Sequence, residues 1–183
     1  MRFLLLPITL LLMTMGALAA TIGDDGLHKT PWMRETFKDL AEDLEEATAE
    51  GKHLLVLIEQ RGCIYCRKMH EEVFVVPQID EFITENFFVV QLNMFGDVEV
   101  TDFDGATMSE KDMVRNWGMT FTPTMMVFPQ TIETAQSAPD LALIVIPGAM
   151  EAPETLSFLM WASDPDANQS QSLSAYHEQR ING

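Results

Sequence analysis

Cysteine is scarce in this chain: Cys63 and Cys66 are the only two among 183 residues. An exported scaffold held by staples carries several pairs, so a disulfide framework is excluded. A structural zinc site needs four ligands, and no second cysteine pair exists to complete one. Basic residues are scarce too, 11 Lys and Arg against 28 Asp and Glu, for a formal charge of −17. A surface of that sign repels nucleic acid and anionic lipid, and neither is expected as a partner. After the first apolar run no second one is long enough to cross a bilayer. Any membrane electron donor must therefore be a separate protein.

That first run has the build of an export signal. Arg2 is a minimal positive n-region, residues 3–15 are apolar, and Gly16-Ala17-Leu18-Ala19-Ala20 is a small-residue cleavage zone. Ala17 and Ala19 form an A-x-A pattern, which puts the cut after Ala19, with Ala20 as the alternative. An uncleaved anchor needs a longer run, and no cysteine stands at the zone to take a lipid. Residues 1–19 are expected to be removed and the mature protein to work in the periplasm, unanchored. Losing Arg2 takes the charge from −17 to −18. Glu42-Asp43 and Glu45-Glu46 are expected on a solvated helix flank, with steering toward a basic partner as the functional alternative.

The chemistry concentrates in Gln60-Arg61-Gly62-Cys63-Ile64-Tyr65-Cys66-Arg67-Lys68-Met69-His70. Residues 53–59 before it form an apolar run long enough for one buried strand. The spacing places Cys63 at the first turn of a following helix and Cys66 one turn further in. There the thiols can close a small ring, and the helix N-terminus favours a thiolate on Cys63. Arg61, Arg67 and Lys68 crowd the pair and should favour it further. Strand, C-x-x-C, helix is the redox pattern. A purely structural clip is a poor alternative, because closing four residues removes little chain entropy. The serious rival is a soft-metal site for copper using Cys63, Cys66, His70 and a methionine, since Cys66 and His70 share a helix face.

Around this centre the mature chain divides simply. Residues 20–29 are polar with two glycines and are expected to be flexible. Thr30-Pro31 predicts a helix start, with Trp32, Phe37, Leu40 and Leu44 inward and Gly51 as the stop. Residues 54–58 predict a central strand, and the cysteine helix should run to about Val73 with Met69 and Val73 inward. Pro77 restarts a helix, and residues 87–93 predict a second strand. Residues 95–108 are polar, forming either a functional loop or a short hairpin. Asp97, Glu99, Asp102 and Asp104 gather four acids there, but their spacing does not match an EF-hand loop. Ser109 starts a helix that Gly118 ends. Thr122-Pro123 heads a strand, and a cis bond there would leave the Thr122 backbone free to pair with an incoming peptide. Residues 141–146 predict an antiparallel partner strand, and Pro153 opens a last helix. Beyond Ser163 the chain is rich in Ser, Gln and Asn, the composition of a disordered tail over residues 164–183.

This order resembles the thioredoxin fold over residues 30–163, an α/β fold with a central mixed β-sheet flanked by helices. A loop is inserted before the helix that precedes the cis-proline strand. Within that fold the chain is most similar to exported, SoxW-type periplasmic thioredoxins of sulfur-oxidation systems. The residues that carry the likeness are Cys63-Ile64-Tyr65-Cys66-Arg67-Lys68-Met69-His70, the stretch at Val100-Thr101-Asp102-Phe103-Asp104-Gly105, and Phe121-Thr122-Pro123-Thr124. The resemblance implies a thiol–disulfide oxidoreductase without cofactor. Cys63 attacks, Cys66 resolves, and Pro123 is the cis proline facing them. Tyr65 and Thr122 would hold an exported protein's thiols or disulfides, or a sulfur-carrier protein. Two departures stand out. Gly62 takes the place of the usual tryptophan, and Ile64-Tyr65 replace Gly-Pro; the tyrosine before the second cysteine is also similar to exported disulfide isomerases, so isomerase or oxidase work with the same residues is the alternative. The family's buried carboxylate six residues before the first cysteine is Leu57, leaving Glu59 as the nearest acid. Glu59 is either a proton relay for Cys66 or a strand-end surface residue.

Overall fold

The computed structural model describes residues 20–183; the expected signal peptide lies outside them. Two strands form the centre. β4 (His53–Glu59) and β5 (Phe87–Asn93) pair in parallel, from His53 opposite Phe87 to Glu59 opposite Asn93. Both are apolar on two faces, and alternation sorts their side chains. Leu54, Val56 and Ile58 join one core with Phe88, Val90 and Leu92. Leu55 and Leu57 join the other with Phe87 and Val89.

Helices cover each face. α1 (Leu40–Ala49) and α4 (Glu110–Asn116) supply Leu40, Leu44, Met113 and Val114 to the first core. The second is closed by α2 (Ile64–Lys68), its π-helical continuation (Met69–Val73), α3 (Pro77–Asn86) and α6 (Ala152–Ser163), through Met69, Val73, Ile79, Ile83 and Phe158. The sheet is completed by β3 (Met33–Arg34), parallel to β5, and by β8 (Thr124–Val127) and β9 (Ile144–Pro147), both antiparallel, in the order β3-β5-β4-β8-β9. A short helix, α5 (Ala138–Leu141), precedes β9. This is the mixed, helix-flanked sheet of the thioredoxin fold.

The helix expected from Thr30 does not form. Met33 and Arg34 pair with Val89 and Val90 instead, Phe37 projects 94% exposed, and α1 begins only after Asp39. Asp39 caps it, accepting the backbone N–H groups of Ala41 and Glu42 at 3.1 and 3.2 Å. Gly51, at φ 72°, ends it as expected. On its flank Glu42, Glu45 and Glu46 are solvated, but Asp43 is buried beside Thr36.

Three more segments differ from, or decide between, the expectations. Residues 20–29 are not loose: β1 (Thr21–Ile22) and β2 (His28–Lys29) form an antiparallel hairpin that buries Leu27. The polar stretch after β5 contains a hairpin, β6 (Glu99–Thr101) with β7 (Thr107–Ser109). Residues 164–183 are helical, as α7 (Pro165–Ser170) and α8 (Leu173–Asn182). They lie against α6 because Trp161 Nε1 donates to the Gln171 carbonyl, Ser157 meets His177 Nδ1 at 2.8 Å, and Arg180 Nε donates to Ser157 at 2.9 Å. No described helix is long and apolar enough to cross a membrane.

Candidate active site

The chain leaves β4 through a tight turn in which Gly62 has φ 73°, a left-handed conformation that a side chain there would resist. That turn explains the missing tryptophan at this position. It delivers Cys63 as the N-cap of α2 with extended backbone. Cys63 and Cys66 form a disulfide with Cα atoms 5.2 Å apart. Cys63 is 8% exposed and Cys66 1%, so the first sulfur faces the surface and the second lies beneath it.

Donors converge on the outer sulfur. The Cys66 backbone N–H points at Cys63 Sγ at 3.0 Å, and the Thr122 hydroxyl donates to it at 3.3 Å. The Thr122 carbonyl lies 3.5 Å from the same atom. The Thr122-Pro123 bond is cis, and the Pro123 carbonyl accepts from Gly148 N at 2.7 Å, fixing the turn against the chain after β9. Tyr65 and Phe121, 59% and 65% exposed, flank a shallow groove that also includes Lys68, Thr122, Gly148 and Ala149. Ile64 is exposed beside them. Helix N-terminus, hydroxyl and amide all favour negative charge on Cys63 once the disulfide opens.

The basic residues contribute less than their number suggests. Lys68 is paired with Glu151, whose carboxylate raises the lysine's pKa. Arg67 lies 3.9 Å from Glu71. The Arg61 side chain packs along Gly26 of the N-terminal hairpin.

On the sheet face covered by the cysteine helix lies a polar cluster. Glu59 continues the parity of Leu55 and Leu57, and Gln91 that of Phe87 and Val89, so both point to the face that α2 covers. Glu59 is 1% exposed; it is no surface residue. Its two carboxylate oxygens lie 3.0 and 3.1 Å from His70 Nε2, and Gln91 Nε2 donates to Oε2 at 2.6 Å. The hairpin seals the cluster. Lys29 Nζ donates to Gln91 Oε1 at 2.6 Å, Gln91 Nε2 also reaches the His28 carbonyl at 2.8 Å, and the His28 ring stacks on His70 with centroids 4.8 Å apart. Burial, then His70 alongside, holds His28 below the ordinary imidazole range. Trp32 closes the far side, its indole parallel to the His70 ring at 6.5 Å and donating to Asp80 at 3.1 Å.

The sequence singles out Glu59 and His70 separately, while Gln91, His28 and Lys29 join them only in the fold. Strand parity was the available signal, since Glu59 and Gln91 alternate in step with core residues. Among the described residues no group of three or more His, Cys, Asp or Glu side chains is placed to hold a metal ion.

The model of the thioredoxin-like domain family matches residues 40–159, more than half of the chain. No curated protein matches it by sequence. A thioredoxin-fold protein from Helicobacter pylori superposes with a TM-score of 0.54 at 20% identity, over 72% of this chain and 85% of its own. A thioredoxin from Thermus thermophilus does so with 0.51 at 18% identity, over 67% and 82%. At these identities the structural likeness is one of fold. The family match runs from α1 through the cis proline into α6 and includes the disulfide at the head of α2, so the chain belongs to the thioredoxin-like domain family and is a thiol–disulfide oxidoreductase.

Proposed function

We propose that this oxidoreductase acts in the periplasm as a reductase of protein disulfides, or of persulfides on a carrier cysteine, within a sulfur-oxidation system. The observation that carries the catalytic reading is the asymmetry of the two sulfurs: one at the surface under convergent donors, the other buried below. In the reduced protein the Cys63 thiolate attacks a partner disulfide, expels one partner sulfur and forms a mixed disulfide. Cys66 then attacks Cys63 Sγ, the second partner sulfur leaves, and the Cys63–Cys66 bond forms. Two electrons pass from the protein to the partner. Thr122 presents its backbone to the partner chain, with Tyr65 and Phe121 as apolar rim. A separate membrane protein returns the electrons. Support for the sulfur-system assignment is the likeness of residues 63–70, 100–105 and 121–124 to SoxW-type thioredoxins.

Cys66→Ala tests this. The variant lacks the resolving thiol, so mixed disulfides through Cys63 accumulate when it is expressed with its leader. One or a few trapped exported proteins, a sulfur carrier among them, are expected under non-reducing electrophoresis. Many unrelated partners would point to disulfide isomerisation, and none from a folded variant would sink the exchange mechanism.

A further inference from the structure

The mechanism leaves one proton without a destination. Cys66 is buried and must become a thiolate to resolve the mixed disulfide. The position six residues before Cys63 is Leu57, a core residue. The histidine one helical turn after Cys66 is a different matter. Both oxygens of Glu59 face His70 Nε2, and an ionised carboxylate only accepts, so Nε2 carries the hydrogen. In the neutral ring Nδ1 is then a bare acceptor. It is buried and has no hydrogen-bond partner in the protein. A carboxylate that fixes the tautomer and leaves the other nitrogen open as a base is the arrangement by which histidines accept protons from nucleophiles.

We propose that His70, held in this tautomer by Glu59, is the general base that takes the proton from Cys66 in the resolving step. This rests on the thiol-exchange reading of the site. Residues four apart on a helix share a face at about 5–6 Å between Cβ atoms, so the ring lies on the Cys66 side of the helix, and Nδ1, which makes no hydrogen bond in the disulfide form, would reach the free Cys66 thiol through one water. As Cys66 S–H loses its proton to Nδ1, the sulfur's electron pair attacks Cys63 Sγ. The bond between Cys63 and the partner breaks, and the departing partner thiolate takes the proton from His70. Protons and electrons balance without an added reagent. Glu59 and Gln91 are positioning residues, and the hairpin covers the ring. The ionisable groups around it are Glu59 from β4, His28 and Lys29 from the hairpin, and Arg67 and Glu71 on its own helix. Asp80 is held off by Trp32.

Ellman's reagent isolates the step in the full mature chain. With reduced protein in stopped flow, the first thionitrobenzoate release reports attack by Cys63 and the second reports resolution by Cys66. His70→Gln is expected to leave the first phase within twofold and to slow the second on the order of a hundredfold at pH 7. The second phase should then rise about tenfold per pH unit until the free thiol ionises, whereas the wild type is flatter. Glu59→Gln should slow the same phase less. A second phase in His70→Gln with wild-type rate and pH profile overturns the proposal, and so does equal slowing of both phases. If the variants do not fold, nitrogen-15 shifts of the His70 ring in the wild type decide: hydrogen on Nε2, and an Nδ1 signal that moves on reduction, are required. Failure of the wild type to release two equivalents would sink the exchange reading itself, a distinct result.

Discussion

Asp102 accepts the indole N–H of Trp117 at 2.7 Å inside the protein, and its other oxygen accepts the backbone N–H of Ala138 at 2.9 Å. One carboxylate thus ties the inserted hairpin to the end of α4 and the start of α5. Asp97 and Asp104 are exposed and Asp102 is turned away from them, so the acids do not form a common site. Burial raises the pKa of Asp102, while the indole and amide donors lower it. Asp102→Ala leaves a buried indole N–H and amide unpaired and should cost about 2–4 kcal/mol. Urea unfolding of the two proteins measures it; a cost under about 0.5 kcal/mol, the scale of an ordinary surface change, would refute the tie.

Cys63, outermost and under its donors, should alkylate at least about tenfold faster than Cys66 near neutral pH. Competitive labelling of the reduced protein followed by mass mapping checks this. Equal rates would reverse the roles assigned to the two sulfurs.

Asp43 gives a pH signature. Burial raises its pKa from 3.8 to about 6, opposed by the Thr36 hydroxyl and reinforced by Asp39, Glu46 and Glu42. The protonated carboxyl is the form that suits the fold, so its contribution is complete below pH 3.8 and lost as pH rises through about 6. Asp43→Asn keeps an acceptor for Thr36 without the charge. It should be more stable than the wild type by about 1–2 kcal/mol at pH 7.5, with the difference vanishing near pH 3.5. Thermal melts at the two values decide, and a gain independent of pH would exclude charge as its cause.

Ending the chain after Ser163 removes α7 and α8, uncovers Trp161 and strands the Ser157 network. A fall in melting temperature of about 5 °C or more is expected. An unchanged value would show that the two helices contribute nothing to the fold.

Local patterns were legible and long-range pairings were not. β4, β5 and the C-x-x-C helix announce themselves by apolar runs and adjacent turn residues, and the proline at 123 by its place before a strand. β3 is two residues long and exists because β5 offers it an edge, which Thr30-Pro31 cannot disclose. Glu59 and His70 are eleven positions apart in the chain, and only strand parity combined with helix phase brings them together. The C-terminal helices were hidden by a polar composition in which only Ala167, Leu173 and Tyr176 pack toward α6 and the core, while Ala175 and Ile181 stay exposed.

The N-terminal hairpin lies outside the central sheet and is held by the Lys29–Gln91 and Gln91–His28 bonds, one ring stack, buried Leu27 and the Arg61 side chain against Gly26. A peripheral two-stranded unit opens at smaller free energy than the central sheet. The cover over the Glu59–His70 pair is thus a local element, separate from the sheet beneath the cysteines. Amide exchange should find Leu27 and Lys29 trading hydrogen long before Val56 or Val90.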